Sequence, residues 1–166
     1  MFFKFRSYLK FLLKSTNHHG IHSPFVFDFL TKCLYTKPRV SREKTHNVLL
    51  KSIPYFNARH VCIKGNTPLK KQVSEKFPNS LENDTLIDIL YFESTLSQNP
   101  DELFSNFQLH NDSLVLFNNI YESTDALTNW TRFSESKVVT VSMDLFYCGL
   151  LFIRKEQVKQ HFTIRI

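Results

Sequence analysis

The sequence predicts an α/β protein, and three observations carry that prediction. Short buried-strand patterns alternate with helical ones from residue 59 onward. The last two strand patterns lie close enough to form a hairpin. Apolar residues make up 42% of the 166, with only three glycines, which is enough apolar side chain to bury one core. The first observation implies a mostly parallel sheet covered by helices, and the second adds an antiparallel edge. Seventeen Phe make aromatic packing the main core material.

Taken in order, residues 2–14 fit an amphipathic helix. Phe2, Phe5, Tyr8, Leu9, Phe11, Leu12 and Leu13 cover about half of it, and Arg6, Lys10 and Lys14 gather on the other side. Such a helix docks on its own domain or on a partner subunit more often than on lipid, so a membrane-surface contact through residues 2–14 ranks below docking. Residues 17–25 then place His18, His19 and His22 around Gly20, which allows a turn, and before Ser23 and Pro24, a good N-cap and first helical residue. The stretch reads as a corner between helices, with the histidines setting the packing of the N-terminal helices against the core or a second subunit. As a metal site it is weak, since no Cys, Asp or Glu accompanies the histidines and the spacing fits no zinc signature.

Lys37-Pro38 ends the second helix, and Ser41 is the expected cap of a third that carries Val48, Leu49, Leu50 and Ile53 and stops before Pro54. Residues 59–65 read as a strand closed by Gly65, 68–77 as a helix, 85–93 as a buried strand, and 99–110 as a helix begun at Asn99-Pro100. Residues 112–120 are a second buried strand, 123–135 a helix, and 137–146 and 149–155 the closing hairpin. The organisation expected is an N-terminal helical extension over 1–53 and an α/β core over 54–166, packed as one unit.

Residues 1–80 hold 15 Lys and Arg against 3 Asp and Glu, and residues 81–166 hold 6 against 12, so the two halves attract each other. Complementarity within the chain or a dimer accounts for that asymmetry, and no aromatic residues interleave with Arg as in a nucleic-acid groove, so no nucleic-acid partner is expected. Cys33, Cys62 and Cys148 are widely spaced and odd in number, which suggests neither a disulfide framework nor a zinc site and points to a reducing, cytoplasmic setting. No apolar run reaches the roughly 18 residues that span a bilayer.

Several stretches together resemble a known family. Residues 8–35 and 152–166 are similar to the two ends of a Bacteroidetes family of S-adenosylmethionine-dependent methyltransferase-like proteins. Residues 54–67, 87–94 and 110–123 resemble that family's first nucleotide-binding strand and turn, its fourth strand and its fifth strand. The resemblance covers most of the chain and implies a class I methyltransferase fold, a Rossmann-like doubly wound sheet with its cofactor at the carboxyl ends of the strands.

The departures from the family carry as much information. Its first strand runs through an acid into a turn of the type E-L-G-T-S-L-G, whereas the matching positions here are Ile63, Lys64, Gly65, Asn66, Thr67, Pro68 and Leu69. The acid and the second glycine are gone. Two strand-helix units are missing before the strand at 85–93, and with them the acid that binds the ribose. The family's carboxylates at the ends of the fourth and fifth strands are replaced by Glu93-Ser94 and Asn118-Asn119, which removes the charge that would hold a divalent cation, so no metal is expected.

The resemblance therefore implies a shortened, degenerate methyltransferase-like protein with no expected cofactor and no catalytic residue, acting as a structural or interaction partner of itself in a homo-oligomer or of an intact homologue. Gly65, Asn66 and Glu93 are the vestigial cofactor-binding candidates. The alternative is an active methyltransferase with an atypical S-adenosylmethionine pocket built from those three residues, with His22 or Tyr91 near the acceptor. His46, His60, His110 and His161 are isolated in sequence and receive no role.

Overall fold

The computed structural model describes residues 2–80 and 86–166. Six strands form one mixed sheet: β1 (Val61–Lys64), β2 (Ile87–Phe92), β3 (Leu109–Asn118), β4 (Val141–Asp144), β5 (Cys148–Phe152) and β6 (Gln160–Thr163), in the order β1-β2-β3-β5-β4-β6. β1, β2 and β3 are parallel neighbours, β5 runs antiparallel to both β3 and β4, and β6 is parallel to β4. The reversed strand is thus inside the sheet, where the sequence suggested an antiparallel edge. Its burial explains the position: every residue of Cys148–Phe152 is buried, which suits a strand flanked on both sides.

Helices cover both faces. On one, α2 (Pro24–Phe29), the π-helical turn Leu30–Leu34, α3 (Lys44–Tyr55) and α4 (Thr67–Lys76) pack Phe29, Leu30, Leu49, Ile53 and Leu69 against Ile89, Leu116, Leu150 and Phe152. On the other, α5 (Pro100–Asn106) and α6 (Thr124–Glu135) pack Leu103, Trp130 and Phe133 against Leu90, Phe92, Phe117 and Leu151. Phe92 stacks on Phe117, which tilts onto Phe133, with ring centroids 5.3 and 4.5 Å apart. Gly149 has a packing role: a Cβ there would collide with the Trp130 ring, so only glycine lets that indole lie on β5.

The N-terminal elements follow the local chemistry. α1 spans Phe2–Lys14, Ser23 Oγ accepts from the Val26 N–H, and Pro24 occupies the first turn of α2. Between them, Asn17 caps the 3-10 turn His18–Gly20 through the His19 N–H. Of the three histidines expected to set packing, only His18 does so, its ring lying against Phe27 and Tyr35, whereas His19 and His22 are exposed.

Several boundaries differ from the sequence reading; β4, expected over 137–146, is confined to Val141–Asp144, and β5, expected to reach 155, ends at Phe152. Ser41 does not cap α3; Glu43 occupies the N-cap position and the Ser41 N–H donates to Asn47 Oδ1. α3 continues through Pro54 to Tyr55, which a proline in the last turn permits at the loss of one hydrogen bond. α5 stops at Asn106, because the chain enters β3 at Leu109 to pair with Ile87. β6, over Gln160–Thr163, was not expected at all. β2 begins at Ile87, and residue 85, where that strand was expected to start, lies outside the described residues.

β6 leads into a clasp on the N-terminal segment. The Thr16 N–H donates to the Thr163 carbonyl at 2.9 Å, the Arg165 N–H donates to the Thr16 carbonyl at 3.1 Å, and Tyr35 Oη donates to the Arg165 carbonyl at 2.8 Å. Among the described residues no helix is long and apolar enough to cross a membrane.

Candidate functional site

In a parallel α/β sheet, ligands bind outside the carboxyl ends of the strands. Here β1, β2, β3, β4 and β6 all end on one edge of the sheet. At the ends of the first three, the chain brings together all three residues expected from the sequence. Gly65, directly after β1, has φ +87°, a left-handed conformation that favours glycine, and a Cβ there would lie 3.1 Å from the Glu93 Cβ. Asn66 caps α4, its Oδ1 accepting from the Leu69 N–H at 2.9 Å. Glu93, directly after β2, is half-buried beside them.

Three side-chain donors converge on the Glu93 carboxylate. Oε2 accepts from Asn66 Nδ2 and from Tyr91 Oη, each at 2.7 Å, and Oε1 accepts from Asn118 Nδ2 at 2.9 Å. Burial opposes its ionisation, but the three donors and the nearby His46 outweigh that cost and hold the carboxyl below its ordinary range. Tyr91 is wholly buried, and its phenol is pushed well above the ordinary range by burial and by the adjacent carboxylate. Asn118 fits because it is an amide: an aspartate there would set a second negative charge against Glu93. Asn119 takes φ +51°, a conformation that Asn tolerates, so this half of the Asn pair is a turn former.

Asp144, a residue to which sequence reasoning gave no role, ends β4 on the same edge. It is 5% exposed, accepts from Tyr121 Oη at 2.5 Å and from the Phe146 N–H at 2.8 Å, and has its carboxyl raised by burial, which those two donors and His161 only partly offset. It lines a cavity of about 680 Å³ between α1, α6 and the β4–β6 edge, together with Lys10, Lys14, Trp130, Glu135 and His161. Ser142 Oγ lies 2.8 Å from His161 Nδ1 on the neighbouring strand. The signal available in the sequence was an acid closing a strand pattern.

His110, also left without a role, sits at the opposite edge of the sheet. Its Nε2 is 2.8 Å from Asp88 Oδ1, while Asp88 Oδ2 accepts from the Arg59 and His60 N–H groups. This pins the start of β1 to β2 and lies away from the carboxyl ends. A further cavity of about 670 Å³ runs between α3 and residues 34–42, where buried Lys51 donates to the carbonyls of Leu34 and Thr36.

Neither of these two cavities is lined by Gly65, Asn66, Glu93 or Asn118. Among the described residues no group of three or more His, Cys, Asp or Glu side chains converges as a metal site would require. All three cysteines are buried free thiols, and burial pushes Cys33 and Cys148 up to about 12, away from nucleophilic use. Set against known protein families, curated proteins and solved structures, the chain matches none of them.

Proposed function

We propose that this chain is a degenerate methyltransferase-like protein whose cofactor crevice is closed by its own side chains, and that it serves as a structural or interaction partner. The observation that carries this reading is the engagement of Glu93, three of whose roughly four acceptor positions are taken by Asn66, Tyr91 and Asn118. A carboxylate that holds the two hydroxyls of a ribose must offer both oxygens, and this one has a single acceptor position left, on Oε1, because Oε2 is committed to Asn66 and to a wholly buried tyrosine. The strand order also supports the reading. In a doubly wound sheet of order 3-2-1-4-5-6, loss of the second and third strands leaves 1, 4 and 5 side by side. β1, β2 and β3, the strands that resemble the first, fourth and fifth, are such neighbours.

The residues present do not fit S-adenosylmethionine well. The glycine-rich turn keeps only Gly65, and the start of α4 is capped by Asn66 and therefore less open to a ligand. One observation favours the alternative of an active enzyme with an atypical pocket: Gly65, Asn66 and Glu93 do meet at the carboxyl ends, where a cofactor would sit.

Calorimetric titration with S-adenosylmethionine and S-adenosylhomocysteine separates the two. The closed crevice predicts no heat and no thermal shift up to millimolar ligand. Binding at micromolar strength that is lost in Glu93→Gln would replace the closed-crevice reading with the enzymatic one.

A further inference from the structure

α1 uses one face to dock and leaves another bare. Ser7, Tyr8 and Phe11 turn inward, with Tyr8 and Phe11 packing on Phe146 at centroid distances of 4.8 and 5.4 Å. Phe2, Phe5, Leu9 and Leu13 are 82, 62, 47 and 88% exposed. At 3.6 residues per turn these four fall in one row opposite the docked face, about 17 Å long. Arg6, Lys10 and Lys14 form a second row along one flank of it. All three are exposed, and among the described residues none makes an ion pair or hydrogen bond, although Lys10 and Lys14 border the cavity that also holds Glu135 and Asp144.

We propose that this exposed face of α1 inserts into an anionic lipid surface, the apolar row entering the acyl boundary and Arg6, Lys10 and Lys14 meeting the headgroups. Amphipathic helices that lie in the bilayer interface combine an apolar row with flanking Lys and Arg in this way. A second copy fits less well. Two α1 helices paired antiparallel about a two-fold axis bring the same flank of each together, and that flank is cationic in both. The inference rests on α1 alone and is independent of how the crevice at Glu93 is read.

The test is co-sedimentation of the intact protein with vesicles of phosphatidylglycerol mixed with phosphatidylcholine, against phosphatidylcholine alone, with light scattering of the free protein in parallel. The expected result is binding to the anionic vesicles only, weakened by salt. Replacing Arg6, Lys10 and Lys14 together by Gln should weaken it on the order of 100-fold, at about fivefold per cation removed. Replacing Phe5, Leu9 and Leu13 by Ser should abolish it, and because these side chains are exposed the circular dichroism spectrum and melting temperature should hold. Absence of binding at low salt overturns the proposal. So does binding that survives the Ser substitutions, because the apolar row would then play no part. A dimer that dissociates on those substitutions, in a protein that ignores vesicles, would overturn it in favour of a second copy.

Discussion

Two carboxylates stand at the same edge of the sheet and have opposite electrostatic fates. Glu93 is half-buried, takes three side-chain donors and is held below its ordinary range; Asp144 is almost wholly buried, takes two donors and is raised. Burial pushes both upward but weighs far more on Asp144, whereas at the more exposed Glu93 the three donors outweigh it. Glu93 is ringed by three side-chain donors, whereas Asp144 also faces a cavity. An acid at a strand end therefore does not identify a site until its partners are known.

The largest perturbation should break both carboxylates at once. Gly149 pairs with Phe117 on β3 and with Asp144 on β4, so β5 mechanically joins the two clusters. Gly149→Ala forces the Trp130 ring and β5 apart and should cost about 3 kcal/mol in urea unfolding. A smaller loss would mean that the indole can rotate away.

Asn118→Asp tests the Glu93 knot alone. It replaces a donor by a second negative charge and should destabilise the protein by about 2 kcal/mol at neutral pH. Protonation of one carboxyl restores a donor, so the deficit should shrink as pH falls, which unfolding curves across the acid range will show.

Glu93→Gln and Asp144→Asn then read the contrast directly. The Glu93 carboxyl is lowered in the folded protein, so its stabilisation is complete above the ordinary value of 4.5 and is lost as pH falls through the lower folded value. Asp144 is raised, so its contribution is complete below 3.8 and is lost as pH rises through the higher folded value. Glu93→Gln should cost about 1.5 kcal/mol at pH 7 and less in acid. Asp144→Asn should be near neutral or stabilising at pH 7. If both variants lose equal stability at pH 7, the difference between the two acids is not electrostatic.

Among the changes that lose stability at neutral pH the smallest is expected from Tyr121→Phe, which removes one donor from Asp144 and should cost about 1 kcal/mol. It should also raise the Asp144 carboxyl further, an effect visible in the carboxyl resonance of labelled protein.

Local chemistry made much of the fold legible. Ser23-Pro24 and Ser123 announced helix starts, and the apolar runs within 59–65, 85–93 and 112–120 announced strands. The failures had nonlocal causes. β6 has two exposed and two half-buried residues, so it lacks the apolar run of a central strand and is recognised only by its pairing with β4. Pro54 read as a stop, yet it sits in the last turn of α3, where few bonds remain to break. At the site, Gly65, Asn66 and Glu93 could be named individually. That Asn66, Tyr91 and Asn118 would all turn to Glu93 could not be named, because their meeting depends on the order in which β1, β2 and β3 lie in the sheet.

The clasp between Thr16 and the segment Thr163–Arg165 has a consequence for how the chain acquires its shape. It joins positions separated by nearly the full length of the polypeptide, so its closure carries a large loop entropy and comes after the local helices and hairpin have formed. During synthesis the first helix emerges long before the strand that fastens the segment behind it exists. Until that strand arrives, the apolar face of α1 has no fixed seat on the body of the protein, and a nascent chain offers far more hydrophobic surface to chaperones or membranes than the finished one does.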